Sequence, residues 1–303
     1  AINLWRGLEA EVDADLEVRI GGGILIADRP EQMRDIERRM SLERAYGLDV
    51  HALTRDELLQ LAPYASAQAV GGCYCPIEGK ANPLKATAAF ARRAEEAGAV
   101  FHRYMELQSL EAVDGGFLAT TGGGTIRARR VVNCAGASGG KVAQMLGIEV
   151  AVQGFPIQVN VTAPVAPVIK HLVYAAGHRL SLKQTANGTL LIGGGWPARV
   201  DPDTGYPIVD PHSMIENLKA AQLVVPAVAG AHLVRTWAGV VNGTADWKPV
   251  IGGAPGHKGF FFNFFPWTGF TAGPLSALTT AELVLGRKPS IDIARYSSLR
   301  QAR

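Results

Sequence analysis

The stretch Gly259–Arg287, GFFFNFFPWTGFTAGPLSALTTAELVLGR, joins a very apolar run to a glycine-bearing turn and a helical pattern. The run at 260–265 predicts a buried strand, and the segment from Pro274 to about Leu285 predicts a helix. Backbone N–H groups converge without partners where a helix begins, so a helix start in such a turn can bind a negatively charged group. We therefore expect this turn to be part of a ligand site.

The composition is that of an ordinary globular protein. The chain has 303 residues, of which 48% are hydrophobic and 19% are charged, and its formal net charge is +3. This length predicts two domains or one large interrupted domain. The densest basic cluster, Arg127, Arg129 and Arg130, is too small to indicate a nucleic-acid partner. No apolar run approaches the ~18–20 residues of a membrane span.

The three cysteines predict neither a metal site nor a disulfide framework. Cys73 and Cys75 share one face of a predicted strand, and no further Cys or His follows at a metal-binding spacing. Cys134 follows apolar residues and is predicted to be buried. An odd, sparse cysteine count fits a reducing compartment, and the first residues lack a signal-peptide layout, so we expect a cytoplasmic protein.

Helix and strand signals alternate irregularly along the chain. A capping box at Thr54 and Glu57 and an Asn82-Pro83 helix start are typical of helices. Asn187-Gly188 predicts a hairpin turn, within a segment from about 150 to 245 where strands dominate. This order favours α+β domains whose segments interleave.

A second glycine-bearing turn follows the predicted strand Val131–Cys134, in the segment RARRVVNCAGASGGKVAQMLG at 127–147. Small residues at the end of a central strand let a flat or phosphate-bearing ligand approach the backbone. The alternative is a strand-to-helix turn that needed glycine for its shape, and the residues favour both interpretations equally. The sequence contains no Ser-His-Asp, HExxH, P-loop or GxGxxG pattern.

Four segments in order resemble the FAD-dependent D-amino-acid oxidase superfamily. The subgroup is that of glycine oxidase, sarcosine oxidase β subunits and the related proline, hydroxyproline and opine dehydrogenase subunits. The segments are IEGKANPLKATAAFARRAEEAGA (77–99), RARRVVNCAGASGGKVAQMLGI (127–148), HRLSLKQTANGTLLIGGG (178–195) and TWAGVVNGTADWKPVIGGAPGHKGFFFNFFPWTGFTAGPLSALTTAEL (236–283). Their order and spacing fit the family across essentially all of this chain.

The resemblance implies a mixed α+β or α/β fold with two interleaved domains. One is a three-layer FAD-binding domain, incomplete at its N-terminus, formed by 1–20, 79–145 and 246–303. The other is an antiparallel-sheet substrate domain, formed by 21–78 and 146–245. The family begins with a GxGxxG strand-turn-helix unit, and this sequence begins after that unit. We therefore expect the 303 residues alone to bind FAD weakly or not at all and to show little turnover.

The resemblance also implies which residues contact the flavin. The turn before the last helix would lie at the pyrimidine edge of the flavin, through Gly269, Phe270, Thr271, Ala272 and Gly273. A helix N-terminus there would stabilise the negative charge of the reduced ring. The turn after strand 131–134 would provide the second contact, through Ala135 and Gly136.

The sequence also departs from the family pattern. The small-residue turn lacks the family's tryptophan, and Thr271 stands where monomeric sarcosine oxidases have a lysine for the substrate carboxylate. The strand RTWAGVV has no cysteine, so a covalent flavin link at that place is excluded.

The implied reaction is oxidation of the C–N bond of a small amine or amino acid, by hydride transfer to flavin N5. His178 and Arg179 are the predicted substrate contacts, Trp237 and Trp267 the predicted pocket walls, and no catalytic acid or base is assigned. The sequence does not decide between sarcosine, glycine, proline and opines as the substrate. It also leaves open the electron acceptor, and whether the chain assembles with a partner subunit or with a second copy of itself. The alternatives are a non-catalytic subunit or remnant that binds no FAD, and an unrelated α+β binding protein.

Overall fold

A computed structural model describes residues 1–297 of the chain. The chain forms two compact units, each assembled from separate segments. The first unit contains Ala1–Ala14, Thr87–Phe155 and the chain from Val240 onward, and the second contains Asp15–Ala86 and Pro156–Gly239. The assignment of FAD binding to one domain and substrate binding to the other stays a prediction.

The helices begin where the local capping signals lie. The described helices are α1 (Ile2–Val12), α2 (Pro30–Ala45), α3 (Arg55–Leu61), α4 (Pro83–Glu96), α5 (Gly139–Gln144), α6 (Pro211–Val224) and α7 (Gly269–Val284). At α3 the Glu57 amide donates to Thr54 Oγ1, and Glu57 Oε2 accepts from the Thr54 amide at 2.8 Å, which confirms the capping box. Asn82 Oδ1 accepts from the Leu84 amide at 3.1 Å at the start of α4. None of the helices found within 1–297 has both the length and the apolar character needed to cross a membrane.

The described strands form one eight-stranded sheet, two three-stranded sheets and one two-stranded sheet. They are β1 (Gly23–Ala27), β2 (His51–Thr54), β3 (Gly71–Cys75), β4 (Leu107–Val113), β5 (Gly116–Thr121), β6 (Gly124–Ala128), β7 (Val131–Asn133), β8 (Val152–Thr162), β9 (Leu172–Ala175), β10 (Ser181–Gln184), β11 (Leu190–Gly193), β12 (Arg199–Val200), β13 (Pro207–Ile208), β14 (Leu233–Thr244), β15 (Val250–Gly253) and β16 (Phe260–Phe264).

An eight-stranded sheet has the order β14-β8-β11-β10-β9-β1-β3-β2. The hairpin β10–β11 turns at Asn187-Gly188, as predicted, and Gly188 has the positive φ of 90° that such a turn requires. The sheet is mainly antiparallel, but β1 runs parallel to β9.

In the second unit, alternate strand residues pack into a core on one face of this sheet. The core includes Val173, Leu182 and Ile192, together with Leu58 of α3 and Val224 of α6. On the opposite face, α2 covers only the β1–β3 end, where buried side chains form a smaller cluster. Its members include Ala27, Ile36, Met40, Cys73 and Cys75. Burial raises the pKa of the Cys73 thiol to about 11, so this thiol is protonated and unreactive at neutral pH.

The first unit contains two three-stranded sheets, β15-β16-β7 and the meander β4-β5-β6. Its core is aromatic, because Phe260, Phe262 and Phe264 alternate inward from β16 and are fully buried. The ring centroids of Phe260 and Phe262 are 5.2 Å apart, and the ring centroids of Phe262 and Phe264 are 5.5 Å apart. Burial of such a side chain typically contributes about 1.5–3 kcal/mol, so β16 anchors this unit.

Two sequence-based predictions were wrong. Helix α7 begins at Gly269 rather than at Pro274, so the predicted turn 269–273 is the first part of the helix. Strand β7 ends at Asn133 rather than at Cys134. The Asn133 side chain points into the core and is 3% exposed, whereas Cys134, which was predicted to be buried, is exposed.

Candidate active site

Both predicted ligand turns of the first unit lie at one edge of a sheet. Strands β7 and β16 are parallel neighbours, with Val131 opposite Phe260 and Asn133 opposite Phe262. Since the carboxyl ends of parallel strands meet at the same edge, the turns that follow β7 and β16 lie at that edge together. Ligands of parallel sheets commonly bind there, which makes this edge the candidate site.

The turn after β7 is held by the buried side chain of Asn133. Its Nδ2 donates to the carbonyl oxygen of Gly139 at 2.9 Å, and its Oδ1 accepts from the Ala135 amide at 3.2 Å. Gly136, with φ of 55°, has no other part of the chain within 4 Å of the place where a Cβ would lie. The turn therefore presents an open stretch of backbone at Ala135 and Gly136. Sequence reasoning missed Asn133, although a polar residue at the end of an apolar strand could have indicated it.

The turn after β16 leads into an uncapped helix. The N-cap residue of α7, Thr268, makes no capping hydrogen bond through its side chain. The first amide bonded within the helix is that of Ala272, which donates to the Thr268 carbonyl at 3.0 Å. A Cβ at Gly273 would contact nothing within 4 Å, and one at Gly269 would meet only the Phe265 Cβ at 3.9 Å. The start of α7 therefore offers backbone N–H groups in open space.

Aromatic side chains fix the position of this helix start. Trp5 of α1 donates its indole N–H to the Thr271 carbonyl at 2.9 Å, and its ring lies 4.9 Å from that of Phe270. The Trp267 amide donates to the Asn242 carbonyl at 3.2 Å, and the half-exposed Trp267 ring lies edge-on to Trp247 at 6.2 Å. Trp5 is a second residue that sequence reasoning missed, because nothing local relates it to residue 271.

The predicted substrate contacts His178 and Arg179 lie in the second unit, in the connection before β10. His178 Nε2 is hydrogen-bonded to Asp28 Oδ2 at 2.9 Å. Burial acts to raise the pKa of the Asp28 carboxyl, but hydrogen bonding, chiefly from His178, holds it below its ordinary value. Arg179 is exposed, and its guanidinium has no partner among the described residues.

The predicted residues thus fall into two groups. Ala135 and Gly136 lie at the same sheet edge as the start of α7, and His178 is next to Arg179 in the second unit. Trp267 belongs to the first unit and Trp237, which is partly exposed on β14, to the second. Within 1–297, no group of His, Cys, Asp or Glu side chains could hold a metal ion.

The sheet edge suits a flat ligand with an electron-rich side. Backbone N–H groups at the start of α7 can donate to such a ligand, and the positive end of the helix dipole favours negative charge there. The glycines at 136 and 273 leave room for a ring to approach. These features fit the ring of a flavin.

Comparison with known proteins gives one family. The family model described as DAO, FAD dependent oxidoreductase, matches residues 1–283. Glycine oxidase of Geobacillus kaustophilus is 30% identical over 284 residues, which cover 92% of this chain and 73% of that protein. Sarcosine oxidase subunit beta of an Arthrobacter species is 27% identical, over 94% of this chain and 71% of that protein.

Solved structures agree with this comparison. The crystal structure of the Geobacillus kaustophilus glycine oxidase matches with a TM-score of 0.88 and 26% identity, over 98% of this chain and 80% of that one. L-proline dehydrogenase from P. horikoshii matches with a TM-score of 0.89 over 99% of this chain and 80% of that one, and its 23% identity supports a shared fold.

Proposed function

The chain belongs to the DAO family of FAD-dependent oxidoreductases, and on that premise we propose that it oxidises the C–N bond of a small amine or amino acid. The names of its relatives support this substrate class, since they are a glycine oxidase and a subunit of a sarcosine oxidase. Family membership excludes the alternative of an unrelated α+β binding protein.

The observation that carries the proposal is the uncapped start of α7 beside the open turn after β7. We propose that the amides of Gly269, Phe270 and Thr271 face the pyrimidine edge of the flavin. The backbone of Ala135 and Gly136 would provide the second contact. When bound, FAD supplies the two-electron acceptor for the hydride of the substrate α-carbon, and the resulting imine is hydrolysed by water.

The chain's own residues would provide position and charge rather than acid-base chemistry. The N-terminus of α7 would stabilise negative charge at the flavin edge, and Trp5 would hold that N-terminus in place through its bond to Thr271. The half-exposed Trp267 ring would form a wall that excludes water. Such a reaction depends mainly on orientation of the substrate.

Binding and turnover of one preparation test the proposal. We expect the chain joined to a family GxGxxG unit to bind added FAD, and the complex to oxidise at least one of sarcosine, glycine and proline. Formation of the aldehyde or keto acid would be measured once with oxygen and once with an artificial dye as electron acceptor, because the acceptor is open. A preparation that is colourless after incubation with FAD and removal of the unbound flavin would instead support a non-catalytic subunit.

Arg179 gives a prediction about the substrate. Its guanidinium is exposed and has no partner within residues 1–297, so it can pair with a substrate carboxylate, whereas His178 is already bonded to Asp28. A charge-assisted hydrogen bond contributes about 1.5–3 kcal/mol. We therefore expect Arg179→Ala to raise KM for an amino-acid substrate about 10-fold or more, with a smaller change in kcat.

Arg199→Ala is the matched control, because Arg199 is also an exposed arginine of the second unit. Equal KM values for Arg179→Ala, Arg199→Ala and the parent protein would show that another group holds the carboxylate.

A further inference from the structure

Part of the eight-stranded sheet carries polar side chains on the face opposite its core. In β10, Leu182 and Gln184 point to the core face, while Ser181 and Lys183 alternate to the other side. Ser181 lies directly opposite Tyr174 of β9, so Tyr174 shares this side. We call Arg179, Ser181, Lys183 and Tyr174 the polar strip.

Arg179 continues the alternation of the strip. Leu180 is buried in the same core cluster as Leu182, so the residues before and after it point away from that core. Four residues of extended chain are about 13 Å long. Arg179 and Lys183 are therefore about that far apart, and Ser181 lies between them. The strip therefore has a cation at each end and hydroxyl groups in its middle.

Two lysine side chains lie at the Lys183 end of the strip. Burial lowers the pKa of Lys183, and the Lys183 ammonium has no hydrogen bond or ion pair with the residues that the structure describes. Lys80 lies close by, because its Nζ donates to the Gln184 carbonyl, and burial together with the charges of Lys183 and Arg19 lowers its pKa. A partly buried positive charge without a counter-ion is costly, and an anionic ligand group would offset that cost.

An acidic group lies beside the middle of the strip. The Tyr174 hydroxyl is hydrogen-bonded to the Glu78 carboxyl, whose Oε2 is buried without a partner within the described part of the chain. That carboxyl lies over Gly23 of β1, which is on the same side of the sheet as Tyr174. The strip thus has a cation at each end and the Tyr174 hydroxyl at its middle, with the Glu78 carboxyl beside that hydroxyl.

This charge order is complementary to one kind of amine. We propose that the polar strip binds a substrate with a carboxylate on each side of its amine nitrogen, an inference that rests on the proposed function. Arg179 binds one carboxylate and Lys183 binds the other. Glu78 and Tyr174 face the amine between them.

Substitution of Lys183 tests this proposal through substrate preference. In Lys183→Met the side chain keeps its length and loses its charge, whereas Lys183→Arg keeps the charge. The measured quantity is the ratio of kcat/KM for iminodiacetate, which has two carboxylates, to kcat/KM for sarcosine, which has one. We expect Lys183→Met to lower this ratio about 10-fold to 100-fold, and Lys183→Arg to restore most of it.

A binding measurement gives a second readout that does not depend on turnover. Glutarate has two carboxylates and no amine, and we expect calorimetry to show that Lys183→Met weakens its binding about 10-fold or more. Lys219→Met is the control, because Lys219 is an exposed lysine of α6 that already pairs with Glu216 at 2.8 Å. Circular dichroism would show that each variant is folded.

The outcomes separate this inference from the proposed function. A Lys183→Met protein with an unchanged substrate ratio and unchanged glutarate affinity would overturn the role of Lys183. A parent protein that oxidises none of iminodiacetate, sarcosine, glycine and proline would contradict the proposed function, and the glutarate measurement would then decide alone whether the strip binds a dicarboxylate.

Discussion

In a Gly269→Val variant of a chain that carries the family's N-terminal unit, flavin binding is expected to be lost while the protein stays folded. A Cβ at Gly269 would meet only the Phe265 Cβ, at 3.9 Å, so the chain itself has room for a side chain. The branched side chain would instead occupy the space beside the free amides at the start of α7, where we propose the flavin edge. Titration with FAD, followed by quenching of flavin fluorescence, would measure the loss.

The matched control for this variant is Gly7→Val. Gly7 lies in α1 of the same unit, and a Cβ there would contact nothing within 4 Å. Both variants replace a helical glycine by valine, so both change the helix propensity by a similar amount. We expect Gly7→Val to bind FAD like the parent protein. A folded Gly269→Val protein with unchanged FAD affinity would contradict the assignment of α7 to the flavin.

The second large effect is expected for Gly139→Ala, as a loss of stability. Gly139 is buried at the start of α5, and an added Cβ would overlap the ring of Phe264. That ring is itself fully buried and packs on Phe262, so it cannot move away without disturbing the aromatic core. Overpacking of this kind costs about 1–3 kcal/mol in the free energy of unfolding. The midpoint of urea unfolding, followed by circular dichroism, would measure it.

The neighbouring glycine provides the comparison. A Cβ at Gly140 would lie 3.4 Å from the Val150 carbonyl oxygen, which is an ordinary contact. We expect Gly140→Ala to be neutral or to stabilise the helix slightly, since alanine favours a helix over glycine. If the two alanine variants unfolded at the same urea concentration, the contact between α5 and β16 would not limit stability.

Local signals predicted much of the secondary structure. The capping box at Thr54, the helix start at Asn82 and the hairpin at Asn187-Gly188 are all present, because each depends on neighbours within a few residues. The family resemblance, carried by four ordered segments, was confirmed by the match over residues 1–283.

The start of α7 could not be predicted in the same way. A proline usually stands in the first turn of a helix, so Pro274 was taken as the helix start. In the structure the helix begins five residues earlier, and Trp5 contacts this added part through Thr271 and Phe270. Contacts from such a distant residue leave no local pattern. Trp5 was missed for the same reason, whereas Asn133 had a local signal, a polar residue at the end of an apolar strand, that was not used.

The bond between Trp5 and Thr271 joins residues that are 266 positions apart. At the ~5–20 residues per second of protein synthesis, Thr271 is made roughly 15 to 50 seconds after Trp5. All segments of the second unit, which ends at Gly239, are complete before β15, β16 and α7 exist. The nascent chain can therefore complete its second unit first. During that time α1 lacks its contacts with α7 through Trp5. The sheet edge formed by β7, β16 and the start of α7 is therefore completed only after the second unit has been synthesised, and the contact between Trp5 and α7 forms only then.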